Sequence, residues 1–143
     1  MVDVKVSGIN EILKKLKKLP IVMQKRVVTG AIRASAAAIN KEAKLNVPKD
    51  EGDLKKSLSV IKRKTKDKNI IYFSVVPKTK LLHKIQDAKG ERHYNYGGLV
   101  EFGSSKMSAR PYLRPAFESK GAEAISIAKA YMKKRIDKEI AKL

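Results

Sequence analysis

Apolar positions along the chain follow two rhythms, one of two residues and one of three to four, and the changes between them mark out the elements. Val2, Val4 and Val6 alternate with Asp3 and Lys5, which predicts a short half-buried edge or pairing strand ending at Ser7-Gly8. From Ile9 the spacing lengthens. Ile9, Ile12, Leu13, Leu16 and Leu19 form one stripe, with Lys14, Lys15, Lys17 and Lys18 off it, so a short amphipathic helix closed by Pro20 is expected. Residues Ile21 to Leu45 read as the longest helix, with Val28, Ile32, Ile39 and Ala43 on its core-facing row. Its middle, Gly30, Ala31, Ala34, Ala36, Ala37 and Ala38, carries little bulk. Either a sheet, a second helix or another copy approaches closely there, or the alanines simply favour helix.

Asn46, Pro48 and Lys49-Asp50-Glu51-Gly52 end that helix in a turn. Asp53 is placed as the N-cap of a single turn from Leu54 to Ser57, and Leu58 to Lys66 and Asn69 to Pro77 then form a hairpin around Asp67-Lys68-Asn69. On its second strand Ile71, Phe73 and Val75 point one way and Ile70, Tyr72, Ser74 and Val76 the other, so both faces are largely apolar. One face should meet the long helix, and the other the C-terminal helix or a neighbouring subunit. Lys78 to Asn95 reads as a long basic loop, flexible until a partner orders it, in which Leu81, Leu82 and Ile85 allow one amphipathic turn at most. Phe117, Gly121, Ala124, Ile125, Ala128, Met132, Ile136, Ile140 and Leu143 then lie at helical spacing, which predicts a long amphipathic C-terminal helix with Lys129, Lys133, Lys134 and Lys138 on its other face.

Between these comes the most distinctive stretch, Tyr96 to Glu118. Leu99-Val100-Glu101-Phe102 reads as a short strand, with Leu99 and Glu101 on one face and Val100 and Phe102 on the other, ended by Gly103. Ser104, Ser105, Lys106 and the residues to Arg110 are small, polar and basic, as in an exposed loop. Pro111 and Pro115 make Arg110-Pro111-Tyr112-Leu113-Arg114-Pro115 a stiff elbow, with Pro115 at the first helical position and Glu118 near the positive end of the helix dipole. Glu101, an acid among apolar residues, is expected to pair with Arg110 or Arg114 inside the molecule; the alternative has one of those arginines meeting an acid on a neighbouring subunit.

The run Leu99 to Lys106, followed after a short gap by Arg110 to Phe117, resembles the small tail-component and head-tail joining proteins of long-tailed bacteriophages, the gene-product-ten-like family of phage HK-ninety-seven. Gly52-Asp53-Leu54-Lys55-Lys56-Ser57-Leu58 is similar to a second block of that family, in the expected order. The resemblance implies a virion assembly part: a ring-forming head-tail joining or tail-completion subunit. Its partners would be its own copies, the phage connector, and tail-tube or tail-terminator proteins. It would be found in the host cytoplasm during assembly and then in the virion. It brings no catalytic residues. The segment Glu101, Phe102, Gly103, Ser104, Ser105, Lys106, Arg110, Pro111, Tyr112, Arg114 and Pro115 becomes the candidate partner-docking motif.

Composition adjusts this picture only in part. At 143 residues the chain suits one domain with a small core. Its 33 Lys+Arg against 14 Asp+Glu give a formal charge of +19, which favours a negatively charged partner and makes non-specific contact with DNA attractive. A basic nucleic-acid-binding protein is the alternative reading, although no recognition-helix or zinc-finger pattern accompanies the charge. No cysteine is present, and charged residues interrupt every apolar run, so disulfides and membrane contact are not expected. His83 and His93 lack the acidic or thiol neighbours a metal needs, and no phosphate-binding glycine loop or serine with an adjacent base appears. No cofactor and no enzymatic activity are expected. The fold class is α+β: a small, mainly antiparallel sheet of the hairpin, the Leu99 strand and the N-terminal strand, packed against the Ala-rich helix and the C-terminal helix.

Overall fold

The computed structural model describes residues 7–78, 85–87, 90–92 and 96–143. The valine strand expected before Ser7 and both histidines, His83 and His93, lie outside them. The architecture is α+β, built on two long helices. Helix α1 (Ile9–Leu16) leads to α2 (Ile21–Asn46), and α2 ends where it does because Pro48 holds Val47 extended, at ψ 132°. At the other end of α2 the Gln24 amide donates to the Leu19 carbonyl at 2.7 Å and so closes the preceding turn.

The partner of α2 is α5 (Leu113–Ile140), which runs antiparallel to it and shares with it the most extensive contact in the fold. The small-residue middle of α2 is where the two approach. The Ser35 hydroxyl donates across the gap to the Ala124 carbonyl at 2.7 Å, and a Cβ on Gly30 would strike the Tyr131 ring. Close approach of a second helix therefore decides the question left open by the alanines. The buried row of α2 is Val27, Ala31, Ile39 and Ala43, with the expected Val28 and Ile32 half-buried on its flank. Two core clusters result. One joins Ile12, Leu16 and Leu19 to Val27 and Ile136; the other gathers Ile39, Ala43, Val47, Leu54, Leu58, Val100, Tyr112, Ala116 and Ala124.

A short helix α3 (Gly52–Ser57) passes directly into β1 (Leu58–Arg63), which pairs antiparallel with β2 (Tyr72–Pro77) in the register Leu58 to Pro77 through Arg63 to Tyr72. Both strands are shorter than expected because Thr65, whose hydroxyl reaches the Asp67 and Ile70 carbonyls at 2.7 and 3.1 Å, folds the tip into a turn of its own. The hairpin packs on α2, while Ile70 and Tyr72 remain exposed. Within the expected long loop, β3 (Ile85–Asp87) and β4 (Gly90–Arg92) pair antiparallel, which replaces the amphipathic turn expected at Ile85. The rest of that segment after Lys78 lies outside the described residues.

The principal correction concerns Leu99–Phe102. This is not a strand but part of helix α4 (Tyr96–Phe102), and so the main sheet has two strands among the described residues. A helix puts Gly97, Val100 and Glu101 on one side, and all three are buried, whereas Phe102 is 75% exposed. Gly97 makes this packing possible: a Cβ there would lie 2.5 Å from Pro77 Cγ and 2.8 Å from the Tyr112 hydroxyl.

Ile136 is fully buried at the centre of the α1, α2 and α5 cluster. Replacing it with Ala should cost about 2 to 5 kcal/mol, because the rigid helix pair cannot close the cavity. Urea unfolding should show a lower midpoint with an unchanged slope.

Candidate docking site

The elbow between α4 and α5 is assembled from backbone hydrogen bonds first and side chains second. Gly103 closes α4 in a left-handed conformation (φ 75°), with its N–H donating to the Leu99 carbonyl at 2.8 Å. A Cβ at Gly103 would meet backbone on two sides, 2.7 Å from Ala109 N and 2.9 Å from Met107 O. The stretch expected as irregular loop then makes a paired turn. Ser104 N–H donates to Met107 O at 2.8 Å, Met107 N–H donates to Ser104 O at 3.3 Å, and the Ser104 hydroxyl accepts from Lys106 N–H at 3.2 Å. Ser104, Ser105 and Lys106 stand exposed at its tip, while Met107 packs back against the core. Arg110 N–H returns the chain to α4 by donating to the Val100 carbonyl at 2.7 Å.

Glu101 does not pair with an arginine. Its carboxylate is buried and accepts three backbone N–H groups at the start of α5: Tyr112 at 2.7 Å and Leu113 at 2.8 Å on Oε2, and Arg114 at 2.9 Å on Oε1. A helix begins with four N–H groups that its own turns cannot satisfy. Here three reach Glu101, and the fourth position is Pro115, which has none. Pro115 is therefore the third helical residue and not the first, since Leu113 begins the helix. For the same reason Glu118 falls beyond the first turn. Negative charge at this end of α5 also meets the helix dipole.

Arg110 has other partners. Its guanidinium lies 3.1 Å from Asp50 Oδ1 and 3.0 Å from Glu51 Oε1, and the Asp50 hydrogen bond and charge raise its pKa above the ordinary value. Glu51 also accepts the Tyr96 hydroxyl, so one carboxylate fastens the elbow, the start of α3 and the start of α4. Glu51, not Asp53, is the N-cap residue of α3, and its side chain is turned to these partners. Tyr112 is fully buried. Its hydroxyl donates to the Gly97 carbonyl at 3.2 Å, and burial, with the neighbouring Glu101 charge, pushes its phenol up to about 12.

The motif thus divides by direction. Glu101, Gly103, Arg110, Tyr112 and Pro115 build the elbow; Phe102, Ser104, Ser105, Lys106, Pro111 and Arg114 face outward, and Arg114 is in no ion pair among the described residues. Sequence reasoning missed Asp50, Glu51 and Tyr96. The acids Asp50 and Glu51, adjacent just before Gly52 in a basic chain, were the available signal. Beside the elbow, the outer seam of α2 and α5 forms an apolar groove of about 640 Å³ lined by Ile32, Ile39, Phe117, Ile125, Ala128 and Met132. Among the described residues no group of acids or histidines could hold a metal ion, and no helix is long and apolar enough to cross a membrane.

Over residues 10–103 the chain matches the sequence profile of a family described by the HK97-gp10 tail component of a bacteriophage. No curated protein and no solved structure matches it.

Two measurements check the elbow. Glu101→Ala strands N–H donors in a buried setting and should cost on the order of 3 to 5 kcal/mol, read as a large fall in melting temperature, with Glu101→Gln falling between it and the parent. Tyr112 must stay neutral when folded, so its contribution is present below the ordinary phenol pKa and lost as pH rises toward about 12. Melting temperatures should therefore decline across that alkaline window, and Tyr112→Phe should flatten the decline.

Proposed function

Since this chain belongs to the HK97-gp10-like family of bacteriophage tail components, we propose that it is a ring-forming subunit that joins head to tail or completes the tail. It is assembled in the host cytoplasm and carried in the virion. The observation that carries this reading is the rigid elbow. Its internal side chains are occupied with one another, and its tip and outer side, Phe102, Ser104, Ser105, Lys106 and Arg114, stand exposed on fixed backbone. A surface ordered before contact loses little conformational freedom on docking. Arg110 is engaged by Asp50 and Glu51, which leaves Arg114 and Lys106 as the cations a neighbour meets.

The neighbours are further copies of this chain and the connector and tail-tube or tail-terminator proteins. Large exposed apolar side chains, Phe102, Phe117, Ile70 and Tyr72, are the kind of surface that subunit contacts cover. The protein acts by fit, with no chemical step.

Phe102→Ser combined with Arg114→Glu should leave the purified protein folded, with an unchanged melting temperature, while a complemented phage lysate contains filled heads and separate tails in electron micrographs. Normal infectious particles from that double variant would remove the elbow from the docking surface.

A further inference from the structure

We infer that the cleft between α2 and the β1–β2 hairpin is a groove for the phosphate backbone of duplex DNA. Two concavities, of about 720 and 510 Å³, adjoin along the inner side of the hairpin and share Lys25, Thr29 and Lys62 at their junction. Lys25, Arg26 and Arg33 come from α2, Lys62 and Lys64 from β1 and its extension, and Lys68 from the hairpin tip. Lys25, Thr29 and Arg33 recur every four residues and so occupy one face of α2 over about 12 Å. Lys62 and Lys64 share one side of the extended chain.

Three features separate this groove from general basicity. First, no acidic side chain lines either concavity; of the seven lining cations, Arg63 is turned to the Ser74 hydroxyl at 3.2 Å, and the other six are exposed and outside any ion pair among the described residues. Among the described residues Asp50, Glu51, Glu123, Asp137 and Glu139 pair with other cations, Arg110, Lys120, Lys15, Arg135 and Lys142. Asp67, at the hairpin tip, accepts the Asn69 N–H at 2.8 Å. Second, the walls are preorganised. Thr65 pins the tip by its two carbonyl contacts, and Gly30, Ala34 and Ala37 keep the floor open. Third, the hydroxyls of Thr29 and Tyr131 accompany the cations, the mixture that phosphate oxygens accept from.

An acidic protein partner is less well served. Protein interfaces centre on apolar or aromatic anchors, whereas this junction is Lys25, Thr29 and Lys62, and the exposed apolars Val22 and Ile70 each line only one concavity. No Asn or Gln lines the groove to read adenine edges, and the contacts inferred here are those of its cations and hydroxyls with phosphate. The inference does not rest on the tail-assembly reading.

Salt dependence tests it. With six phosphate contacts the log affinity for a short mixed-sequence duplex should fall against log salt with a slope of about −5. Replacing Lys25, Arg33, Lys62 and Lys64 together by Gln should flatten that slope by about 3 to 4. Replacing Lys14, Lys17, Lys133 and Lys138 by Gln removes the same charge from exposed faces of α1 and α5 and should change it little. Lys62→Gln alone should flatten it by about 1; this single variant serves if the fourfold one proves less stable. Polyglutamate, as a competing arm, should bind more weakly and be insensitive to the groove variants. Equal losses from the groove and control sets would overturn the inference, as would absence of duplex binding by the parent at about 0.15 M salt. Polyglutamate binding that matches DNA and fails with the groove variants would reassign the cleft to an acidic protein.

Discussion

The carboxylate of Glu101 is the contact on which the rest of the fold depends. It accepts the N–H groups of Tyr112, Leu113 and Arg114, and with Pro115 it accounts for every unsatisfied donor at the start of α5. Because it stands on α4, the cap fixes the direction in which α5 leaves the elbow. Tyr112, held under the cap, reaches Gly97 with its hydroxyl and receives at its own carbonyl the Asn46 amide at 3.4 Å. The end of α2, α4 and the start of α5 are thereby tied at one place, and the exposed tip of the elbow takes its position from that tie.

The second constraint is the narrow seam of α2 and α5. Small side chains let the helices close enough for Ser35 to reach a carbonyl of the opposite helix, and this sets two different sides for the pair. One carries the hairpin and the cation-lined cleft. The other exposes the apolar groove that runs from Phe117 to Met132. A tail component built this way presents a cationic side and an apolar side that face different directions.

Long periodic segments were legible in the sequence, and short ones were not. Stripes of many turns placed α2 and α5 within a residue or a few of their ends, and the alternation around Asp67 placed the hairpin. Leu99–Phe102 was misread because four residues fit a period of two or of 3.6 equally well. The deciding information was non-local: Gly97 has to pass under Pro77 and Tyr112. Glu101 was singled out as an acid among apolar residues, but its partners are backbone N–H groups, which carry no sequence signature; the nearby arginines offered a false match. Asp50 and Glu51, the true partners of Arg110, lie about sixty residues earlier, as the separation of 60 and 59 positions shows.

The Ser35 to Ala124 hydrogen bond spans 89 positions, and the family match ends at residue 103, before α5 begins. A nascent chain therefore completes α1 to α4 while the small-residue face of α2 still lacks the helix that covers it. Pairing at such separation closes slowly, since the intervening chain must first be ordered. Until α5 leaves the ribosome, the face of α2 around Gly30 and Ser35 lacks the Tyr131 ring and the Ala124 turn that meet it in the folded protein. For this face of α2 the hazard of premature association belongs to synthesis, and it falls when α5 docks.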